Sequence, residues 1–493
     1  MNDSQSLLPS GWVWTYVNEI SSLIRGVSYN KSEAFKASKD GFLPILRATN
    51  INKQLNFDDL VYVPIPCISS EQMIRKFDVI FAMSSGSKDL VGKSAQAISD
   101  FHGGFGTFCG LIRPMKGLNE QYFGFFFQSP EYRKKISTLS SGIGINNLRR
   151  DDIESIVFPL PPLPEQLRIV TKIEELLTQL DAGVASLKKA QAQLKRYRQA
   201  VLKAAFEGRL TQEWREEHKG KIEPVEKLIT KPPLEKNDLA SSQLADGWVW
   251  TSVVDIGEVI GGLTKNQKRS QYPIKMPYLR VANVYSNRLD LTDVAKIGVL
   301  ESELKRLLLK KGDLLIVEGN GSADQIGRVA LWNDQISPCI HQNHLIKIRP
   351  SASVSGKFLL YWLLSTAGRQ EITNVASSTS GLYTLNISKV ENLSFPLAPI
   401  SEQNIIINEI ERLFSIADEI EQTITTSLRQ AESLRQSILK RAFEGKLVPQ
   451  DPTDEPASVL LERIKSEKAH NAETKKGKTL QPKSPKRKIK NGN

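Results

Sequence analysis

Two segments of the chain hold residues at spacings that perform chemistry in other proteins. Gly86-Ser87-Lys88-Asp89-Leu90-Val91-Gly92-Lys93-Ser94 approaches a phosphate loop, in which backbone N–H groups and a lysine cradle the phosphates of a nucleotide. It places five residues between its glycines, where that motif has about four. A later counterpart, 321–329, ends in Arg328-Val329 where the lysine and hydroxyl residue would stand. The segment therefore reads as a glycine- and lysine-bearing loop facing DNA phosphate, or as a plain turn, rather than as a nucleotide site. His341 and His344 stand at a ligand-like spacing, but no third ligand cluster accompanies them. That stretch reads as the start of a strand.

Reading a DNA base takes different groups: Arg or Lys for guanine, Asn or Gln for adenine. Holding phosphate takes Lys, Arg and hydroxyls. Arg47 with Asn50, and Arg280 with Asn283, have base-reading chemistry, and Lys88, Lys93 and Arg328 are phosphate candidates. Because the Arg/Asn pair recurs, a positional or structural role stands beside direct DNA contact. Arg149, Arg150 and Lys389 read as solvated charges, and Tyr383 as loop packing. Catalytic groups are missing. No Asn/Asp-Pro-Pro-aromatic motif for adenine methylation occurs, since Pro161-Pro162 is flanked by Leu160 and Leu163. No nuclease carboxylate–lysine cluster and no dinucleotide fingerprint are found either.

The elements that position these groups are written twice. Gly11-Trp12-Val13-Trp14-Thr15 returns as Gly247-Trp248-Val249-Trp250-Thr251. Phe158-Pro159-Leu160 returns as Phe395-Pro396-Leu397, Glu165-Gln166 as Glu402-Gln403, and Ala205-Phe206-Glu207-Gly208 as Ala442-Phe443-Glu444-Gly445. Between these anchors the match loosens but keeps register: Asp78, Gly86, Ser87, Asp89 and Gly92 align with Asp313, Gly321, Ser322, Asp324 and Gly327. The period is far longer than the ~20–50 residues of a solenoid unit. It is a duplicated module, with a framework kept and an interior varied.

Each varied part reads as mixed α/β. Stretches 78–82, 107–113, 313–317 and 344–348 are strand-like. Stretches 122–128 and 358–364 are rich in aromatics and leucine and read as buried helices. The closely repeated part is helical. After Pro161-Pro162-Leu163-Pro164 no proline recurs until Pro224, and prolines do not sit inside helices. Ile173, Leu180, Leu187, Leu194 and Val201, with Leu177 and Val184 between, form a heptad seam over 166–206. Ile410, Phe414, Ala417, Ile420, Ile424, Ala431 and Ile438 repeat it, and Gly208 and Gly445 are the expected stops. Two such helices cover one another's seams; a seam serving some other oligomer is the alternative.

Composition bounds the rest. Apolar residues make up 40% and charged residues 24% of 493, as in soluble proteins. Cys67, Cys109 and Cys339 lie far apart, which fits a reducing compartment. The start of the chain does not read as a secretory signal, and no apolar run is long enough to span a membrane. Both point to the cytoplasm. Net charge is +12, but the tail 471–493 carries eight Lys/Arg and one Glu, leaving about +5 for the rest. Charge alone is thus weak evidence for nucleic acid, and the tail reads as a solvated, disordered end.

The Gly-Trp-x-Trp heads, the Pro-Leu-x-Pro-x-x-Glu-Gln approach to a long helix and the Ala-Phe-Glu-Gly-(Arg/Lys)-Leu exits resemble those of type I restriction-modification specificity subunits. So does Asp454-Glu455-Pro456-Ala457-Ser458 before Leu460-Leu461-Glu462-Arg463-Ile464. Ile24-Arg25-Gly26-Val27 and Ala82-Met83-Ser84-Ser85-Gly86-Ser87 most resemble the type IA subgroup. The resemblance implies an α/β (α+β) chain of two mixed α/β target-recognition domains, separated by two long helices in an antiparallel coiled coil with pseudo-two-fold repeat. The expected division is 1–157 and 241–394 for the recognition domains, 158–240 and 395–470 for the helical spacers, and 471–493 for the tail. It implies a non-catalytic subunit that binds double-stranded DNA at a bipartite target. Two modification subunits would bring S-adenosylmethionine for adenine N6 methylation. Restriction subunits would bring ATP hydrolysis, magnesium and cleavage. A fused methyltransferase and a protein-binding coiled-coil scaffold are the competing readings.

Overall fold

The computed structural model describes residues 8–85, 90–139, 146–222, 224–225, 229, 244–379 and 381–479. They fall into two compact units, one of Met1–Ser186 with Thr426–Asn493, the other of Leu187–Thr425.

Each repeat head is a strand that closes its own domain. Val13–Tyr16 pairs antiparallel with Val157–Leu160, and Val249–Ser252 with Ser394–Leu397. The repeated Phe-Pro-Leu is therefore sheet, and the strands run past 157 and 394, where the sequence pattern begins to change. Phe158, Leu160, Phe395 and Leu397 are fully buried, which holds these strands in the domain core.

Inside each domain lies a four-stranded antiparallel sheet. In the first its order is Ser21–Arg25, Cys109–Pro114, Val79–Ala82, Ser94–Gln96. In the second it is Gly257–Gly261, Leu345–Pro350, Leu314–Val317, Val329–Leu331. Helices Glu120–Phe126 and Gly356–Leu364 pack against these sheets through buried aromatics and leucines. Two repeated details are structural. Buried Asp78 takes both Nε and Nη2 of Arg113 at 2.8 and 2.6 Å, and Asp313 takes those of Arg349 at 2.8 and 2.7 Å. Gly92 and Gly327 have left-handed φ of 69° and 63°. A Cβ there would lie 2.4 Å from Ile136 and 2.5 Å from Ile372.

The long helices are Leu163–Phe206 and Ile400–Phe443, of 44 residues each. Pro164 sits inside the first turn, where its missing N–H has no intrahelical partner to lose. The helix thus begins a turn earlier than the proline rule suggests. Gly208 and Gly445, at φ 70° and 68°, end the helices as left-handed residues. In the first unit Ile169, Val170, Ile173 and Leu177 share a core with Ile438, Leu439, Ala442 and Phe443. In the second unit Val201, Leu202, Ala205 and Phe206 share a core with Ile406, Ile407 and Ile410. In both units the start of one helix therefore meets the end of the other, an antiparallel pairing. Away from these cores the seam is thinner: Leu180, Val184 and Leu187 are half-buried, and Ile420 lies exposed instead of in the seam. A last helix, Ala457–Thr479, extends into the segment expected to be a tail; 480–493 lie outside the described residues.

One buried carboxylate organises each unit. Glu165 accepts the Trp12 indole N–H at 3.0 Å and the Gln450 amide at 3.1 Å. Glu402 accepts Trp248 at 2.9 Å, Thr211 at 2.6 Å and the Arg215 guanidinium. The next residue finishes the junction. Gln166 Oε1 accepts from the Asn119 N–H and its amide donates to Pro161 O, both at 2.9 Å. Gln403 does the same with Ser355 and Ala398 at 2.9 and 2.8 Å.

Breaking a buried ion pair by removing one partner costs about 3–5 kcal/mol. Glu402→Ala should destabilise the second unit by that order, read by denaturant unfolding followed by tryptophan fluorescence. Glu165 faces neutral donors, and burial raises its pKa above the ordinary carboxylate range, against the hydrogen bonds from Gln450 and Trp12. Its ionisation therefore weakens the fold as pH rises through that range and above it. Glu165→Gln should cost less than Glu402→Gln and should flatten this pH dependence; the reverse order would contradict the assignment.

Candidate nucleic-acid interface

The two four-stranded sheets present the same end to the loops that carry the candidate residues. In the first, Arg25 lies opposite Gly110, Ala82 opposite Cys109, and Phe81 opposite Ser94. The ends of two strands and the starts of two others thus meet on one edge, with Lys93, Phe108 and Met83 just beyond them. In the second, Gly261 lies opposite Ile346, Val317 opposite Leu345, and Ile316 opposite Val329. Its edge bears Arg328, His344 and Glu318.

Lys93 and Arg328 occupy equivalent places. The Ala82 N–H donates to Lys93 O and the Val317 N–H to Arg328 O, each at 2.9 Å. Lys93 Nζ reaches Asn52 Oδ1 at 3.1 Å. The Arg328 guanidinium lies over the Tyr285 ring at 5.5 Å, and Arg288 approaches the same ring at 4.7 Å. Both positions thus carry a cation beside a polar or aromatic surface residue. Lys88 lies outside the described residues.

The Arg/Asn pairs build loops. Asn50 Oδ1 accepts from the Arg47 N–H at 2.9 Å, and its amide donates to Asp58 O at 2.8 Å. Asn283 Oδ1 accepts from the Arg280 N–H at 2.8 Å, and its amide donates to Asp290 O at 2.8 Å and Asp293 O at 2.9 Å. Both asparagines are buried, so their adenine-reading groups are engaged by backbone. Their recurrence has a local cause: each frames a 3-10 turn, Ala48–Asn50 or Val281–Asn283. Arg47 pairs with Asp59 at 2.6 Å and Arg280 with Asp293 at 2.8 Å, with both carboxylates largely in solvent. Such pairs contribute only about 0–1 kcal/mol, so either guanidinium can trade its carboxylate for a phosphate.

The histidines do not act together. His341 is buried and its pKa is pushed down to about 3, by burial first and then by the charge of Lys347. His344 is exposed and pairs with Glu318 at 3.0 Å. Among the described residues no group of three or more candidate ligands could hold a metal ion.

No sequence motif marks the cleft of about 1110 Å³ in the first domain, lined by Arg25, Met83, Thr107, Phe108, Asn147 and Arg149 among others. The sequence pattern makes Arg149 a solvated charge and Phe108 part of a strand. Phe108 is instead 66% exposed, just before the strand Cys109–Pro114. An aromatic at the polar end of a strand-like run was the one available signal.

A family model for the type I restriction modification DNA specificity domain matches this chain twice, over residues 9–196 and 245–430. The chain belongs to the type I specificity-subunit family. Each match spans one sheet domain and runs into the helix that follows it. The EcoKI specificity subunit of Escherichia coli (strain K12) is 35% identical over 476 residues, covering 94% of this chain and 97% of that protein. The StySPI specificity subunit of Salmonella potsdam is 36% identical over 473 residues, covering 94% and 96%. A solved chain from a study of complex assembly and conformational transition of the type I R-M system shares the fold. Its TM-score is 0.63 at 16% identity, covering 90% of this chain and 100% of that one. The family of specificity subunits is generally non-catalytic. Among the described residues no helix is long and apolar enough to cross a membrane.

Each phosphate neutralised by a specificity subunit adds about 0.9 to the slope of log affinity against log salt. Lys93→Gln and Arg328→Gln should each lower that slope by about one unit, measured by titrating duplex DNA across a salt series, with the recognised sequence unchanged. A slope that does not move would remove the residue from the candidate DNA contacts.

Proposed function

We propose that this chain reads DNA for a type I restriction-modification complex, each sheet domain recognising one half of a bipartite target. The observation that carries this is a framework built twice to the same hydrogen-bond plan, with different side chains on its edge. Specificity for both methylation and restriction would then reside here. The chemistry would reside on partners: two modification subunits using S-adenosylmethionine to methylate adenine N6, and restriction subunits using ATP and magnesium. The natural setting is the cytoplasm. The dependence on partners is supported by apolar side chains left in solvent on the long helices: Leu167, Ile405, Ile416, Ile420 and Leu434. Of these, Ile416 and Ile420 stand one turn apart on one helix face, and contiguous apolar surface marks interaction sites. The domain division is read as recognition regions 1–157 and 241–394, with 158–240 and 395–470 as spacers. The long helices serve in this reading as the ruler between half-sites.

Exchange of residues 20–157 for the same region of a related subunit tests the modular part. In cells supplying the partners, sequencing of methylated adenines should show one half-site changed and the other kept. Change in both, or in neither, contradicts it. The ruler has its own test. Four residues inserted near Gln191-Ala192-Gln193 lengthen a helix by ~6 Å and turn it by ~40°. Two base pairs of DNA span ~7 Å and turn roughly 70°. The spacer should grow by one or two base pairs with both half-sites retained; an unchanged spacer in an active complex means that something else separates the readers.

A further inference from the structure

Met83 with Phe108, and Glu318 with His344, occupy the same two places on one backbone framework. The Met83 N–H donates to Phe108 O at 2.8 Å, and the Glu318 N–H donates to His344 O at 3.0 Å. On the far side, the Leu148 N–H donates to Met83 O at 2.8 Å and the Leu385 N–H to Glu318 O at 2.7 Å. The residues just before, Ala82 and Val317, carry the matched bonds to Lys93 and Arg328. The backbone agrees bond for bond while the side chains differ in kind. One domain offers a thioether and a phenyl ring; the other offers a carboxylate and an imidazole.

Met83 packs against the domain core, but Phe108, Glu318 and His344 are not explained by stability. Phe108 is 66% exposed, so little of its ring is removed from water. His344 Nδ1 lies 3.0 Å from Glu318 Oε2, with 59% and 32% of the two side chains in solvent. An exposed pair of that kind contributes about 0–1 kcal/mol. The surroundings suit DNA. In the first domain Arg25, Arg149 and Arg150 line the cleft beside Phe108, against two carboxylates, Asp151 and Asp152. In the second, Arg328 and Arg288 flank Tyr285 at the equivalent end of the sheet.

Resting on the DNA-reading function proposed above, we infer that these two framework positions discriminate bases in the major groove. An apolar side chain marks thymine by its 5-methyl group, and a carboxylate marks cytosine by accepting from its N4 amino group. Phe108, backed by Met83, therefore selects a thymine in the half-site of the first domain. Glu318, oriented by His344, selects a cytosine in the half-site of the second.

The test uses the full chain with its modification subunits, carrying Glu318→Gln or Phe108→Ser. The readouts are the methylated motif in cells and competition binding with duplexes changed at one base pair each. Loss of one good base contact should lower discrimination at that pair by about 5- to 150-fold. Glu318→Gln should relax a single G·C pair of the second half-site and leave the first half-site intact. Phe108→Ser should relax a single T·A pair of the first half-site and leave the second intact. His344→Asn, which keeps a hydrogen-bonding group beside Glu318, should relax the same pair as Glu318→Gln by a smaller factor. If affinity falls equally for every duplex, if the relaxed pair lies in the other half-site, or if no pair relaxes, the inference is overturned. A parent complex that methylates no bipartite motif would instead overturn the underlying reading.

Discussion

A buried carboxylate at the head of each long helix is the constraint on which the rest depends. Glu165 and Glu402 are almost fully withdrawn from water. A buried charge is tolerated only when its lone pairs are filled. The carboxylate and its donors come from three stretches of chain far apart in sequence: the start of the long helix supplies the carboxylate, and the domain's own first strand region and the residues just beyond the end of the other helix supply the donors. Glu165 thereby ties Trp12 to Gln450, and Glu402 ties Trp248 to Thr211 and Arg215. The polar cost of the carboxylate makes these three stretches interdependent. No one of them can leave without stranding a charge.

Apolar packing follows the same exchange. Phe443, from the end of the second helix, packs on Tyr122 and Phe126 at ring distances of 5.0 and 5.4 Å. Phe206, from the end of the first, packs on Phe358 and Trp362 at 5.1 and 5.2 Å. Each unit is thus completed by the end of the helix that began in the other. This explains why the exit motif Ala-Phe-Glu-Gly is repeated as closely as the Gly-Trp head. The alanine and phenylalanine enter a domain core, and the glycine, held at positive φ, turns the chain toward the carboxylate junction.

The features legible in the sequence were those fixed by hard constraints repeated twice. The duplication, the heptad seam, the glycine stops and the buried aromatic helices each have a periodic or conformational signature. Ile420 keeps the heptad register yet lies exposed, because a register does not say where along a pair of helices the packed core ends. Pro164 lies within the helix because a proline bars the interior of a helix but not its first turn. The interface was harder. Asn50 and Asn283 have base-reading groups, yet a backbone turn takes up the same groups, and only hydrogen-bond geometry separates the two uses. Phe108 gives only a weak signal and Glu318 none, because the equivalence of Phe108 with His344 and of Met83 with Glu318 appears only once the strand registers are aligned.

That alignment bears on how recognition changes while the fold persists. The bonds that align Met83 with Glu318 and Phe108 with His344 run between backbone atoms, so they do not depend on the side chains present. The side chains that do hold the domain, such as buried Asp78 with half-buried Arg113 and buried Asp313 with half-buried Arg349, lie toward the opposite end of the same sheets. Stability and edge chemistry are therefore carried by different residues of one sheet. A substitution on the edge leaves the buried ion pair, the glycine–isoleucine contact and the carboxylate junction untouched. A substitution among those three disturbs the frame on which any edge is displayed. The duplicated chain repeats the second set closely and varies the first, as expected where two surfaces of different chemistry stand on one scaffold.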